Sequence, residues 1–101
     1  MLYLKNSNLL IEAALARDAF GNDAQVSLVY YPDRNALLVA GKSKAFFEKL
    51  HETHWVILKE RNLLGDKLVS IRDILLDHDL DDTDRPLLYE LKNTGILSIT
   101  L

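Results

Sequence analysis

Three sets of residues in this chain have the type and spacing to hold a ligand. Ser70 and Asp73 stand three positions apart just before the apolar run Ile74, Leu75 and Leu76. Their hydroxyl and carboxylate can answer the free backbone amides at a helix start, or the hydroxyls of a sugar. Asp77, Asp79 and Asp81 alternate along an acidic run, as the first three ligands of a calcium loop do. The likeness stops there, because the loop's sixth position, a glycine in calcium sites, is Asp82, and its twelfth, a glutamate, is Leu88. His51 and His54 make the third set. Their spacing of three, not the four of a zinc protease helix, still places both rings near one helical face, with His78 available as a further ligand.

Catalysis has less to work with. None of Ser7, Ser27, Ser43, Ser70 and Ser98 lies in a G-x-S-x-G turn, and the absence of cysteine removes thiol nucleophiles, disulfides and iron–sulfur ligation together. The glycines at 21, 41, 65 and 95 are too scattered for a phosphate-cradling loop. No catalytic residue and no cofactor is therefore assigned, and the reading leans away from an enzyme.

Charge separates along the chain. Residues 41–72 hold seven Lys or Arg against four acids, whereas 73–84 hold six Asp and no base. Such runs are solvated faces or docking surfaces, and the acidic one suits a protein partner with a basic patch. The net charge of -3 is the wrong sign for strong phosphate contact, which disfavours nucleic acid. No stretch approaches the length of a membrane span, and 1–8 lack the basic and apolar regions of a signal peptide, so no membrane is involved and a cytoplasmic location is expected.

The elements that must position these groups follow from the apolar pattern. A short strand over residues 1–5 precedes an apolar block at 9–20, read as a helix capped by Asn8 and ended by Gly21, with a continued hairpin through Asn6, Ser7 and Asn8 as the alternative. Residues 25–31 and 36–40 are β-branched or aromatic and flank Pro32-Asp33-Arg34-Asn35, a hairpin with a turn. Ser43 caps a helix through residues 44–54, with Phe46, Phe47 and Leu50 on one face. Residues 55–59 form a strand with 67–69 as its return, a short helix reaches Asp77, and 87–91 and 96–101 form a terminal hairpin. No repeat is legible.

Residues 55–76, with a strand, a glycine-containing turn and then Leu68-Val69-Ser70-Ile71-Arg72-Asp73-Ile74-Leu75, are similar to the strand–strand–helix portion of CBS modules. The resemblance implies that Ser70 and Asp73 contact the ribose of an adenine nucleotide. Lys67 or Leu68 stands where that family has glycine.

Together these readings give one α+β domain over residues 1–101, a mainly antiparallel sheet with two or three helices packed on one face. The expected function is a non-catalytic protein-interaction or regulatory module that self-associates, as a dimer, through an exposed edge at 96–101. The alternatives are an adenine-nucleotide sensor using Ser70 and Asp73, and a divalent-metal protein using Asp77, Asp79 and Asp81 or the histidines.

Overall fold

The computed structural model describes residues 1–44, 47 and 54–101. They form an α+β fold with two antiparallel sheets and two helices. The first hairpin pairs β1 (Leu2–Lys5) with β2 (Asn8–Ile11) around Asn6 and Ser7, whose φ values of 50° and 66° give the left-handed turn that matches strand twist. The hairpin therefore takes Leu9, Leu10 and Ile11 out of the expected helix. Alternation explains why: Leu9 and Ile11 are buried while Leu10 is partly exposed, a strand's period of two. Helix α1 is confined to Ala13–Phe20 and ends, as expected, at Gly21 with φ 57°.

The second hairpin, β3 (Gln25–Tyr31) with β4 (Ala36–Gly41), follows the sequence reading closely and is registered Tyr31 to Ala36. Then β5 (His54–Ile57) lies beside β3, and β6 (Lys59–Glu60) lies beside β7 (Lys67–Ser70). Helix α2 spans Arg72–Asp77. It is followed by β8 (Arg85–Pro86), β9 (Leu88–Leu91) and β10 (Leu97–Thr100). The expected helix over 44–54 falls mostly outside the described residues, Phe46 and Leu50 included. Its last position, His54, belongs to a strand.

The sheets have the orders β6-β7-β2-β1-β8 and β5-β3-β4-β10-β9. Two bent strands join them. Residues 54–60 run along β3 and then, past buried Leu58, along β7; residues 85–91 run along β1 and then, past buried Leu87, along β10. The ring of ladders thus closes around one apolar core shared by both sheets. Closure removes most sheet edges. Strand β10 lies between β4 and β9, so the expected exposed edge at 96–101 is an interior strand. Instead of one sheet with helices on one face there are two sheets. Of the two described helices, α1 connects β2 of the first sheet to β3 of the second, whereas α2 connects β7 to β8, both in the first sheet, from which the bent strand passes on to the second.

That arrangement repeats. Counting β8 and β9 as the one bent strand they form, strand, strand, helix, strand, strand describes residues 2–41 and again residues 59–100, and in each half the first two strands belong to one sheet and the last hairpin reaches the other. Equivalent buried positions lie sixty apart: Leu9 with Val69, Ile11 with Ile71, Leu15 with Leu75, Leu37 with Leu97 and Val39 with Ile99. Asn35 and Gly95, at the hairpin turns, both have positive φ. The two halves also hold each other's helices. Asp66, in the β6–β7 turn, accepts the Ala13 amide of α1 at 2.9 Å, and the Ser7 carbonyl, in the β1–β2 turn, accepts the Ile71 amide before α2 at 3.0 Å.

Candidate functional site

Among the described residues a cleft of about 410 Å3 lies between α2 and the margin where β5 lies on β3, within the size range of small-molecule sites. Its back is apolar, from Leu28, Val56, Ile71 and Ile74. Register fixes the strand wall: Leu28 pairs with His54 and Ser27 with Trp55, which brings His54 and Trp55 to the rim. Trp55 remains 57% exposed, and the Lys42 ammonium lies 4.8 Å from its ring centroid. Tyr30, further along β3, carries the wall toward the end of α2, where His78 meets it with ring centroids 4.8 Å apart. The phenol of Tyr30 donates to the Asn35 Oδ1 at 2.7 Å, and Asn35 in turn donates to the Leu101 carbonyl at 2.9 Å. One aromatic wall is thereby anchored to the chain's last residue.

Helix α2 supplies the polar wall. Asp73 and Asp77 are one turn apart and both line the cleft, with Ser70 just before them. The helix itself gains little from Asp77, because a negative charge at a helix C-terminus opposes the dipole and two acids at this spacing repel. Among the described residues neither carboxylate has an ion-pair partner. Among the described residues no Lys or Arg lines the cleft. The arrangement offers two carboxylates, a hydroxyl, two imidazoles and flat aromatic surface, a set suited to hydroxyl-bearing or aromatic ligands more than to a phosphate group.

The sequence candidates are redistributed by the fold. Ser70 and Asp73 meet at the cleft but do not form a capping box. Ser70 ends β7, the cap position is Ile71, and no side chain bonds the first amides of α2. The strand pairing of Ser70 with Asn8 holds it one residue too early to cap. Asp77 joins them at the cleft, whereas Asp79, with φ 51°, turns the chain away. Asp81 is occupied locally: its carboxylate accepts the Thr83 amide at 2.9 Å and the Thr83 hydroxyl at 2.5 Å. The Thr83 hydroxyl, then its amide, and to a lesser degree the nearby Arg85 charge hold the Asp81 carboxyl below its ordinary value. Among the described residues no three His, Asp or Glu side chains gather as a metal site. His51 lies outside the described residues. His54 sits on the β5 rim, facing the same cleft as His78.

In the sequence His54 and His78 come together only as metal ligands, and Trp55 and Tyr30 were not legible as parts of the same site, since their meeting depends on the β3–β5 register and on where α2 ends. Their aromatic and imidazole chemistry at strand and helix margins was the one available signal. Comparison with family models, with curated proteins and with solved structures gives no match. The assignment of Ser70 and Asp73 to a ligand therefore rests on the cleft.

Proposed function

We propose that this domain is a non-catalytic regulatory module that binds an adenine nucleoside or nucleotide in the cleft between α2 and β3–β5. The observation that carries this reading is the convergence of Ser70, Asp73 and Asp77 on one apolar-backed cleft whose rim is Trp55. A carboxylate and a hydroxyl accept from and donate to vicinal ribose hydroxyls, and an adenine ring gains stacking area against an indole. The sugar and base supply the affinity. With no Lys or Arg in the lining among the described residues, added phosphates contribute little, except through Lys42 beside Trp55. The lack of cysteine suits a reducing compartment, and we place the module in the cytoplasm.

Thermal melting tests the proposal. A ligand that binds only the folded state raises Tm in proportion to ln(1 + [ligand]/Kd). Adenosine and AMP raise Tm alike, guanidine-type or polyamine cations do not, and Asp73→Ala removes the adenosine effect while leaving the fold intact. A Tm indifferent to adenosine, AMP and ATP at millimolar concentration refutes it.

A further inference from the structure

Among the described residues the barrel margin has two stretches with a strand on one side alone: β3 beyond Leu28, where Val29 and Tyr30 line the cleft, and β9 beyond Leu87. In the first half, β5 covers the outer side of β3 from Gln25 to Leu28. Sixty positions on, β1 covers the bent strand only as far as Leu87, whose amide bonds the Leu2 carbonyl at 2.9 Å. Beyond that point β9 has a strand on one side alone, β10. Leu88 is 78% exposed and Tyr89 41%.

The free groups can be identified from the ladder. The Lys92 amide bonds the Ile96 carbonyl at 2.9 Å, which marks 92 and 96 as a hydrogen-bonded pair. Such pairs alternate along an antiparallel ladder, so residues 90 and 88 also bond β10, opposite Ser98 and Thr100. The amide and carbonyl groups of Tyr89 and Leu91 therefore point away from the sheet, and among the described residues no backbone group meets them. Unpaired groups of this kind are a template for another strand.

We infer that this margin pairs with the same margin of a second copy of the chain, antiparallel, about a two-fold axis at Leu91. A two-fold contact requires a surface that complements itself, and charge selects the register. An axis at Glu90 sets the two Glu90 carboxylates opposite each other, which is repulsive. An axis at Tyr89 calls on Leu87, whose amide is already bonded to β1. An axis at Leu91 bonds Leu91 to its counterpart through the free amide and carbonyl, and it places Glu90 opposite Lys92 of the other copy, twice. The 2.9 Å ion pair that Lys92 and Glu90 make within each copy is then exchanged for one between copies, two for two. An axis at the end of β9 brings only residues 90–92 of each copy together, because Asn93 and Thr94 belong to the turn, so the contact is small and the dimer reversible. The inference is independent of the cleft and of what binds there.

Charge reversal tests it. Sedimentation of the wild-type chain over a range of concentrations shows a monomer–dimer equilibrium. Glu90→Lys and Lys92→Glu each weaken it by about tenfold or more, because each sets like charges across the axis. Mixed in equal amounts, the two variants restore a dimer, since each then meets its complement, and unchanged melting curves show that both fold. Three results overturn the inference: a wild-type chain that stays monomeric at high micromolar concentration, a dimer indifferent to either reversal, or single variants that stay monomeric when mixed.

Discussion

The imidazole of His78 rests against the ring of Tyr30, centroids 4.8 Å apart and planes tilted by 58°. This contact ties the residue that ends α2 to the strand β3, and so sets the width of the cleft between them. His78→Ala removes the ring contact without touching the carboxylates. It is expected to lower Tm by a few degrees and to weaken adenosine binding more than His78→Phe, which keeps a ring against Tyr30; calorimetry on both variants checks this.

Asp66 gives a second expectation, with a definite sign. Its carboxyl is held below the ordinary 3.8, chiefly by the Asn62 side-chain amide, then by the Ala13 backbone amide, with a smaller contribution from the Arg61 charge. A group whose value is lower folded than unfolded stabilises the fold above the unfolded value, and that stabilisation is lost as pH falls through the folded value. Asp66→Asn should therefore lower Tm at neutral pH and flatten the fall of Tm below about pH 4. An acid limb identical to wild type contradicts the link between the β6–β7 turn and α1.

The bends that close the barrel should be sensitive to cavity formation. Leu58 and Leu87 are buried where the chain passes from one sheet to the other. Leu58→Ala and Leu87→Ala are each expected to cost about 2–4 kcal/mol in denaturant unfolding. Leu63→Ala and Leu64→Ala, in the exposed β6–β7 turn, are expected to change stability by less than about 0.5 kcal/mol.

How much of this was legible beforehand depended on the range of the determining contact. The β3–β4 hairpin, the terminal hairpin and the end of α2 at Asp77 are set by local turn chemistry and alternation, and the sequence reading matches them. The start of α1 is not local. Leu9, Leu10 and Ile11 satisfy a helical pattern as well as a strand pattern, and pairing with Leu68 and Val69, sixty residues away, decides between them. The repeat was hidden because the likeness is confined to scattered core positions: Ile11, Leu15 and Leu37 match Ile71, Leu75 and Leu97 in type, whereas Asn35 matches Gly95 only in positive φ. At the cleft, Ser70, Asp73 and Asp77 could be singled out from spacing. Trp55 and Tyr30 read equally well as packing residues until their register was known.

The acidic run gives a third test of residue role. Asp81 is bonded to Thr83 and lies 3.9 Å from the Arg85 guanidinium, and Asp84 accepts the Asn6 amide at 2.9 Å. Among the described residues Asp77, Asp79 and Asp81 do not gather with one another. Millimolar calcium is expected to shift Tm no more than magnesium does, whereas Asp84→Ala, which frees the Asn6 amide of the first hairpin, lowers it. A calcium-specific rise that disappears in Asp79→Asn with Asp81→Asn contradicts this.

Trp55 is the single tryptophan of the chain and stands on the rim of the cleft, so its fluorescence reports directly on occupancy. The most direct measurement is a titration of that emission with adenosine, in wild type and in Asp73→Ala. Nucleoside binding at the cleft predicts saturable quenching in the wild type and an affinity weakened by about tenfold or more in the variant, the loss of a charge-assisted hydrogen bond. Emission that does not saturate, or that saturates identically in both proteins, would contradict it.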